Sequence, residues 1–291
     1  MQWRGRRGSN NIEDRRSASA SASASASGGG GARAGGIGGV GVVLVLLLGW
    51  FFDVDVSGLL NDPAARQPGT ERSASAEDTA AAEFVSVTLA DTEEVWTAIF
   101  RDQLGRTYNP PTLVLFSGVT QSACGGASGA TGPFYCPGDK MAYLDTDFFV
   151  TLERRLGASG DFAAAYVVAH EIAHGVQDQL GILGQANQMR AQVSQAESND
   201  ISVRIELQAD CLAGVFASRG RALGGFDPAD FREALNAARQ IGDDTLQANA
   251  GQRPMPHTFT HGTSEQRARW FRAGLQSGDI GDCDTFSTDQ L

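Results

Sequence analysis

The sequence predicts an α+β fold dominated by helices, with a small sheet and one transmembrane helix ahead of the folded part. Three observations predict it. Residues 161–181 and about 200–218 run without proline, and nearly without glycine, through apolar positions at helical spacing. Two short β-type runs, Thr112 to Ser117 and Met141 to Leu144, follow the turn-forming Pro110-Pro111 and Cys136-Pro137-Gly138. The stretch from Ala34 to Phe52 carries no charge.

Residues 1–33 are Arg-rich and pass into the Ser-Ala repeat from Ser17 and the glycines 28–31, which have nothing to bury, so a disordered tail is expected. Residues 34–52 form the expected transmembrane helix. Nineteen uncharged residues just suffice for a span, and Trp50 followed by Asp53 and Asp55 marks its far edge. A cleaved signal peptide is the competing assignment, disfavoured by the long N-terminal region and by the lack of a small-x-small site after Phe52. Gly36-x-Gly38-x-x-Gly41 matches a dinucleotide-binding fingerprint by letters, but it follows no strand and enters the span.

Residues 53–82 are expected to be a linker, and residues 83–291 the folded domain. Asp91-x-x-Glu94 reads as the capped start of a helix using Val95, Trp96, Ile99 and Phe100. A helix is expected around Phe148 to Leu156, another from Asp230 to Ile241, and a third after the capping box Thr263-x-x-Gln266. Net charge is +4 over residues 1–52 and −15 over residues 53–291. The positive-inside rule then places the N-terminus in the cytoplasm and the domain outside a bacterial cytoplasmic (inner) membrane, as a single-pass protein. The acidic exterior argues against nucleic acid as a partner.

The helix at 161–181 contains His170-Glu171-Ile172-Ala173-His174, the HExxH zinc-hydrolase signature. With four His and twelve Glu in 291 residues, a chance match anywhere in the chain has a frequency of about 0.2%. Imidazoles at i and i+4 reach one ion, and Glu171 stands beside the position where water would bind. Ala165, Val168, Ala169, Ile172 and Val176 form an apolar stripe, with both histidines on the opposite side. A catalytic zinc needs a third protein ligand. The metzincin continuation requires Gly at 177 and His at 180, where the chain has Gln177 and Leu180. Glu206, on the helix at 200–218, is the candidate, with Asp210 one turn on as a carboxylate able to fix the tautomer of a ligating histidine. Asp178, Glu197 and Asp200 are rival ligands. His261 is a candidate donor to the developing oxyanion, or else a capping or surface histidine. Arg267 reads first as a solvated helix arginine, with an oxyanion donor or a brace as alternatives. His257, among prolines, is not expected to join a second metal site.

His170-Glu171-x-x-His174 followed by Glu206-x-x-Ala209-Asp210 resembles the gluzincin arrangement. Together with Trp3-Arg4-Gly5-Arg6-Arg7, Asn11-x-Glu13-Asp14-Arg15-Arg16, Ser122-Ala123-Cys124-Gly125, Gly132-Pro133-Phe134-Tyr135-Cys136-Pro137 and Thr260-His261-Gly262-Thr263-Ser264-Glu265-Gln266-Arg267, it closely resembles the bacterial putative neutral zinc metallopeptidase family. The resemblance implies a zincin-type peptidase domain, Zn2+ as cofactor and a single membrane span. By analogy with zincins, the Met141–Leu144 strand would be an edge strand that receives an extended polypeptide substrate.

Cys124, Cys136, Cys211 and Cys283 all follow the expected span, consistent with export. Of three possible pairings, Cys124 with Cys136 and Cys211 with Cys283 is preferred; four buried thiols are the alternative. The expected function is a membrane-anchored zinc endopeptidase of the cell envelope, with Glu171 as general base and then acid. A noncatalytic zinc-binding envelope adaptor and a zinc amidase on a nonprotein envelope polymer are the alternatives. Oligomeric state is not legible.

Overall fold

The structure is a computed structural model that describes residues 1–16, 76–128, 132–154, 157, 160–223 and 225–291. Its sheet begins with the N-terminal residues. Ile12–Asp14 (β1) runs parallel to Thr112–Phe116 (β2), with Ile12, Glu13 and Asp14 in register with Leu113, Val114 and Leu115. β2 runs parallel to Met141–Asp145 (β6), and Phe134–Cys136 (β5) closes the sheet antiparallel to β6, giving the order β1-β2-β6-β5. Val119–Ser122 (β3) and Gly125–Ser128 (β4) form a separate hairpin. The Met141–Leu144 strand is therefore interior rather than an edge; β5 is the edge on that side, a three-residue strand too short to show as a periodic run.

Residues 1–16, expected as the basic part of a tail over residues 1–33, belong instead to the fold, while the tract expected to be disordered lies outside the described residues. Trp3 is buried, meets Phe84 edge-on at 5.7 Å, and donates its indole N–H to Asp161 at 3.0 Å. Arg6 grips Asp91 through two bonds of 2.8 and 2.6 Å, Asn11 reaches Glu93 at 2.8 Å, and the Met1 amine lies 2.7 Å from Asp230. A fork of two parallel N–H···O bonds fixes direction as well as distance. Residues 1–16 are thus part of the folded domain rather than a separate tail.

The expected span at 34–52 lies outside the described residues, as do residues 17–33 and most of the expected linker. Among the described residues, no helix is long and apolar enough to cross a membrane. Residues 76–82, read as linker, are the first turns of a long helix, Ala76–Asp102 (α1). Asp91 sits in its interior, bound to Arg6, rather than capping its start. Alanine-rich sequence favours helix without a cap, and a partner far away in sequence takes the carboxylate that looked like a start signal.

The remaining helices are Asp147–Arg154 (α2), Asp161–Gln179 (α3), Ile182–Arg190 (α4), Gln195–Gly220 (α5), Pro228–Gln240 (α6), Asp243–Asn249 (α7) and Ser264–Ser277 (α8). Capping boxes open α5 at Ser194 and Glu197, α6 at Asp227 and Asp230, and α8 at Thr263 and Gln266. α3 is buried almost all round, not on one stripe alone: Tyr166 and Val167 are as enclosed as Ala165 and Ile172. α5 and α8 meet backbone to backbone. A Cβ on Gly214 would lie 2.0 Å from the Phe271 carbonyl, and one on Gly274 would lie 1.9 Å from that of Cys211, so both positions require glycine. This contact brings Arg267 of α8 against Asp210 of α5. On the other side, Gly175 leaves room for the β5 edge, since a Cβ there would meet Tyr135 at 3.3 Å.

Candidate metal centre

His170 and His174 project from α3 toward Glu206 of α5. His170 Nε2 lies 3.0 Å from Glu206 Oε2, and His174 Nε2 lies 3.6 Å from Glu206 Oε1. Among the described residues, these three form the one group of histidine, cysteine and acidic side chains placed to hold a metal ion, with ligand atoms within 4.8 Å of one another. Ligands about 2.0–2.1 Å from a tetrahedral zinc stand roughly 3.3 Å apart. The two measured separations bracket that figure, so the residues fit the ion. The rival acids are engaged elsewhere: Asp178 accepts from the Tyr135 hydroxyl, Glu197 closes the cap of α5, and Asp200 pairs with Arg204.

Fit also requires that each imidazole offer a lone pair at Nε2, which is assured when Nδ1 carries the proton. His170 Nδ1 is 2.9 Å from Asp210 Oδ1, close but not aligned as a full hydrogen bond. Asp210 is fully buried. It accepts from Tyr166 Oη at 2.5 Å, from Arg267 Nε at 2.9 Å and from Arg267 Nη2 at 3.0 Å. Arg267 is itself buried, gives Nη1 to the Ile241 carbonyl at 3.1 Å, and is the brace rather than a solvated helix arginine. On the other side, His174 Nδ1 stands 2.8 Å from Gln177 Oε1. Neither Gln177 nor Tyr166 was legible as a site residue. Gln177 attracted attention only as the residue that breaks the metzincin pattern.

The charges settle into a consistent pattern. Burial opposes ionisation of Glu206, but His174, His261 and His170 outweigh it and hold its carboxyl well below the usual range. Burial opposes charge on His170 too, yet Asp210 and Glu206 raise its pKa to about 10. Asp210 is held low against its burial by Arg267 and then His170. Glu171 is different. It is buried beside the two histidines, and burial raises its pKa above that of an ordinary glutamate despite their pull. A raised pKa suits a carboxylate that must accept a proton and later release it.

His261 lies just before α8, about a third exposed, in a loop pinned from below. Asp243 Oδ2 accepts the backbone N–H groups of Thr260, His261 and Gly262 at 2.8, 2.7 and 3.0 Å, and Asp243 Oδ1 stands 3.5 Å from His261 Nδ1. Burial works against a charged ring there, but Glu206 and Asp243 raise its pKa. His257 is exposed and takes no part in the cluster. Both preferred disulfides are present, Cys124–Cys136 and Cys211–Cys283.

The family model described as putative neutral zinc metallopeptidase matches residues 1–286. The chain belongs to that family. It is 45% identical over 286 residues to the uncharacterized protein YpfJ of Escherichia coli K12, an alignment covering 98% of this chain and 99% of the relative. It is 46% identical over 195 residues to the uncharacterized protein Rv2575 of Mycobacterium tuberculosis H37Rv, covering 63% of this chain and 65% of that one. No solved structure matches the chain. The match from residue 1 agrees with the N-terminal strand being part of the folded unit.

Proposed function

We propose that this chain is a zinc-dependent endopeptidase of the bacterial cell envelope, with His170, His174 and Glu206 as metal ligands in a zincin-type site. The observation that carries it is the convergence of these three side chains beside a buried Glu171 with a raised pKa. Zinc, when bound, supplies a Lewis acid that polarises the scissile carbonyl and acidifies water. Glu171 takes the proton of the attacking water at its carboxylate and returns it to the leaving amide nitrogen. His261, aimed by the loop that Asp243 pins, donates to the oxygen of the tetrahedral carbon. The β5 edge beside α3 offers backbone groups to an extended polypeptide. Two disulfides support an oxidising, extracytoplasmic compartment. Attachment to the cytoplasmic membrane through residues 34–52 remains part of the proposal, with residues 1–16 on the same side as the domain, because strands paired as β1 and β2 are cannot lie on opposite sides of a bilayer. Nucleic acid is not a proposed partner.

The test uses the full chain, because a fragment from residue 53 would lack β1. Zinc content and casein hydrolysis are measured for the parent and Glu171→Gln. Equimolar zinc in both, with chelator-sensitive cleavage by the parent alone, supports the proposal. Zinc without cleavage by either favours the adaptor, and absence of zinc overturns the site. The shared compartment is tested separately with Arg7→Cys and Glu265→Cys, whose native side chains are 63% and 74% exposed. An impermeant thiol reagent applied to spheroplasts should label both or neither; labelling of only one overturns it.

A further inference from the structure

The support of His174 does not end at Gln177. Gln177 is fully buried, and its Nε2 donates both to the Ile205 carbonyl at 2.9 Å and to Gln208 Oε1 at 2.9 Å. Gln208, also buried, donates from its own Nε2 to the Cys283 carbonyl at 3.0 Å. Cys283 is covalently tied to Cys211, three residues along α5 from Gln208 and next to Asp210.

The direction of this chain is not free. A backbone carbonyl only accepts, so Gln208 must turn its NH2 to Cys283 and its oxygen to Gln177. Gln177 must then turn its NH2 to Gln208 and to Ile205, a second carbonyl that demands the same orientation, and its oxygen to His174. An amide oxygen cannot donate, so His174 carries its proton on Nδ1 and presents Nε2 toward Glu206. Reversing either amide would set carbonyl against carbonyl inside the protein, where unpaired polar groups are costly.

We propose that Gln177 and Gln208 are positioning residues that form an amide relay from the Cys211–Cys283 disulfide to His174, and that the relay sets the affinity of the metal site by fixing the His174 tautomer and ring orientation. The inference rests on the zinc reading above. The disulfide then contributes to the metal centre at a distance: it holds the short 3-10 turn Ile280–Cys283 after α8 so that the Cys283 carbonyl is in place to orient Gln208. Reduction or loss of that crosslink loosens the last fixed point of the relay and weakens the metal site.

The test measures the zinc dissociation constant of the full chain by competition with a chromophoric chelator at fixed pH, alongside circular dichroism. Gln177→Leu should weaken zinc binding about 10- to 100-fold, the range typical of a lost partner behind a metal ligand. Gln208→Met, which touches no ligand, should weaken it by a smaller factor and covers the case in which Gln177→Leu fails to fold. The combined Cys211→Ala, Cys283→Ala variant should weaken zinc binding in the parent background but add nothing further to Gln208→Met, because the link is already cut there. Full additivity would mean that the crosslink acts only on general stability and overturns the relay. Zinc binding by Gln208→Met and Gln177→Leu within twofold of the parent also overturns it, with the zinc reading intact. No zinc bound by the parent overturns both.

Discussion

The two imidazoles of the candidate metal centre sit one helical turn apart yet are supported by opposite means. Behind His170 stands a charge cluster in which Asp210 is held by Arg267 and Tyr166. Behind His174 stands a neutral chain of two side-chain amides ending on a crosslinked backbone carbonyl. Charge adds electron density to the ring it faces but couples that ligand to pH and to every neighbouring ion; amides fix geometry and leave charge alone. One helix thus presents two like imidazoles with unlike backing: both are held above the ordinary histidine value against burial, His170 to about 10 by Asp210 and Glu206, and His174 by Glu206 and Glu171.

Asp210→Ala should have the largest effect. It leaves Arg267, 3% exposed in its side chain, without a counter-charge, and uncompensated burial of that kind costs about 3–5 kcal/mol. Urea denaturation should show that loss, together with zinc binding about 10- to 100-fold weaker. Gln177→Leu strands no buried ion-pair partner, only His174 Nδ1 and two amide oxygens, and should cost about 1–3 kcal/mol. If the two variants lose equal stability, the contrast between charged and neutral support fails. Arg267→Lys comes next. It keeps the charge but cannot reproduce the two-pronged grip on Asp210, and should cost about 1.5–3 kcal/mol, read from the same urea midpoints.

Acidity sharpens the same contrast. Asp210 has a folded pKa below its unfolded value. Its contribution is complete above the ordinary aspartate range near 3.9 and is lost as pH falls through the lower folded value. His170, raised to about 10 without metal, runs the other way. Its contribution is complete below the unfolded value near 6.5 and is lost as pH rises through about 10. Metal-free protein should therefore lose stability between pH 7 and 10, while zinc affinity rises over the same interval by up to about tenfold per unit for one displaced proton. Gln177→Leu should keep that slope and shift it bodily; Asp210→Asn should flatten it. A flat zinc affinity in the parent from pH 7 to 9 would remove His170 as a site of competition.

What the sequence revealed of this site was local. His170, Glu171 and His174 share one helix turn, and Glu206 and Asp210 share another, so spacing alone placed them on common faces. The two disulfides were reachable because four cysteines allow few pairings. Tyr166 was not, and Arg267 was open as a brace only among alternatives, because their partners depend on α8 closing onto α5 at Gly214 and Gly274, and no local pattern announces a crossing of two helices. Gln177 and Gln208 read as ordinary helix residues until their partners are known. The N-terminal strand pairs across about a hundred residues, and its arginines look like a membrane signal until Arg6 is seen to hold Asp91. Asp91 misled for the same reason, since a carboxylate near a helix reads as a cap unless its distant partner is visible.

Tyr166→Phe is the smallest and most discriminating change. The hydroxyl donates to Asp210 and accepts from Arg267 at 3.2 Å, so its removal takes one member from the charge cluster and leaves the ion pair whole. Two hydrogen bonds to charged partners are lost, but those partners stay paired to each other, which offsets most of the cost, so the expected loss is about 0.5–1.5 kcal/mol. His170 keeps its carboxylate, and zinc affinity should change less than threefold. The amide side is less redundant at the ring: Gln177 alone meets His174 Nδ1, although the Ile205 carbonyl backs Gln177 beside Gln208. Tyr166→Phe weakening zinc more than Gln177→Leu would show that the hydroxyl itself orients Asp210 toward His170, and that the charged arm is as finely aimed as the neutral one.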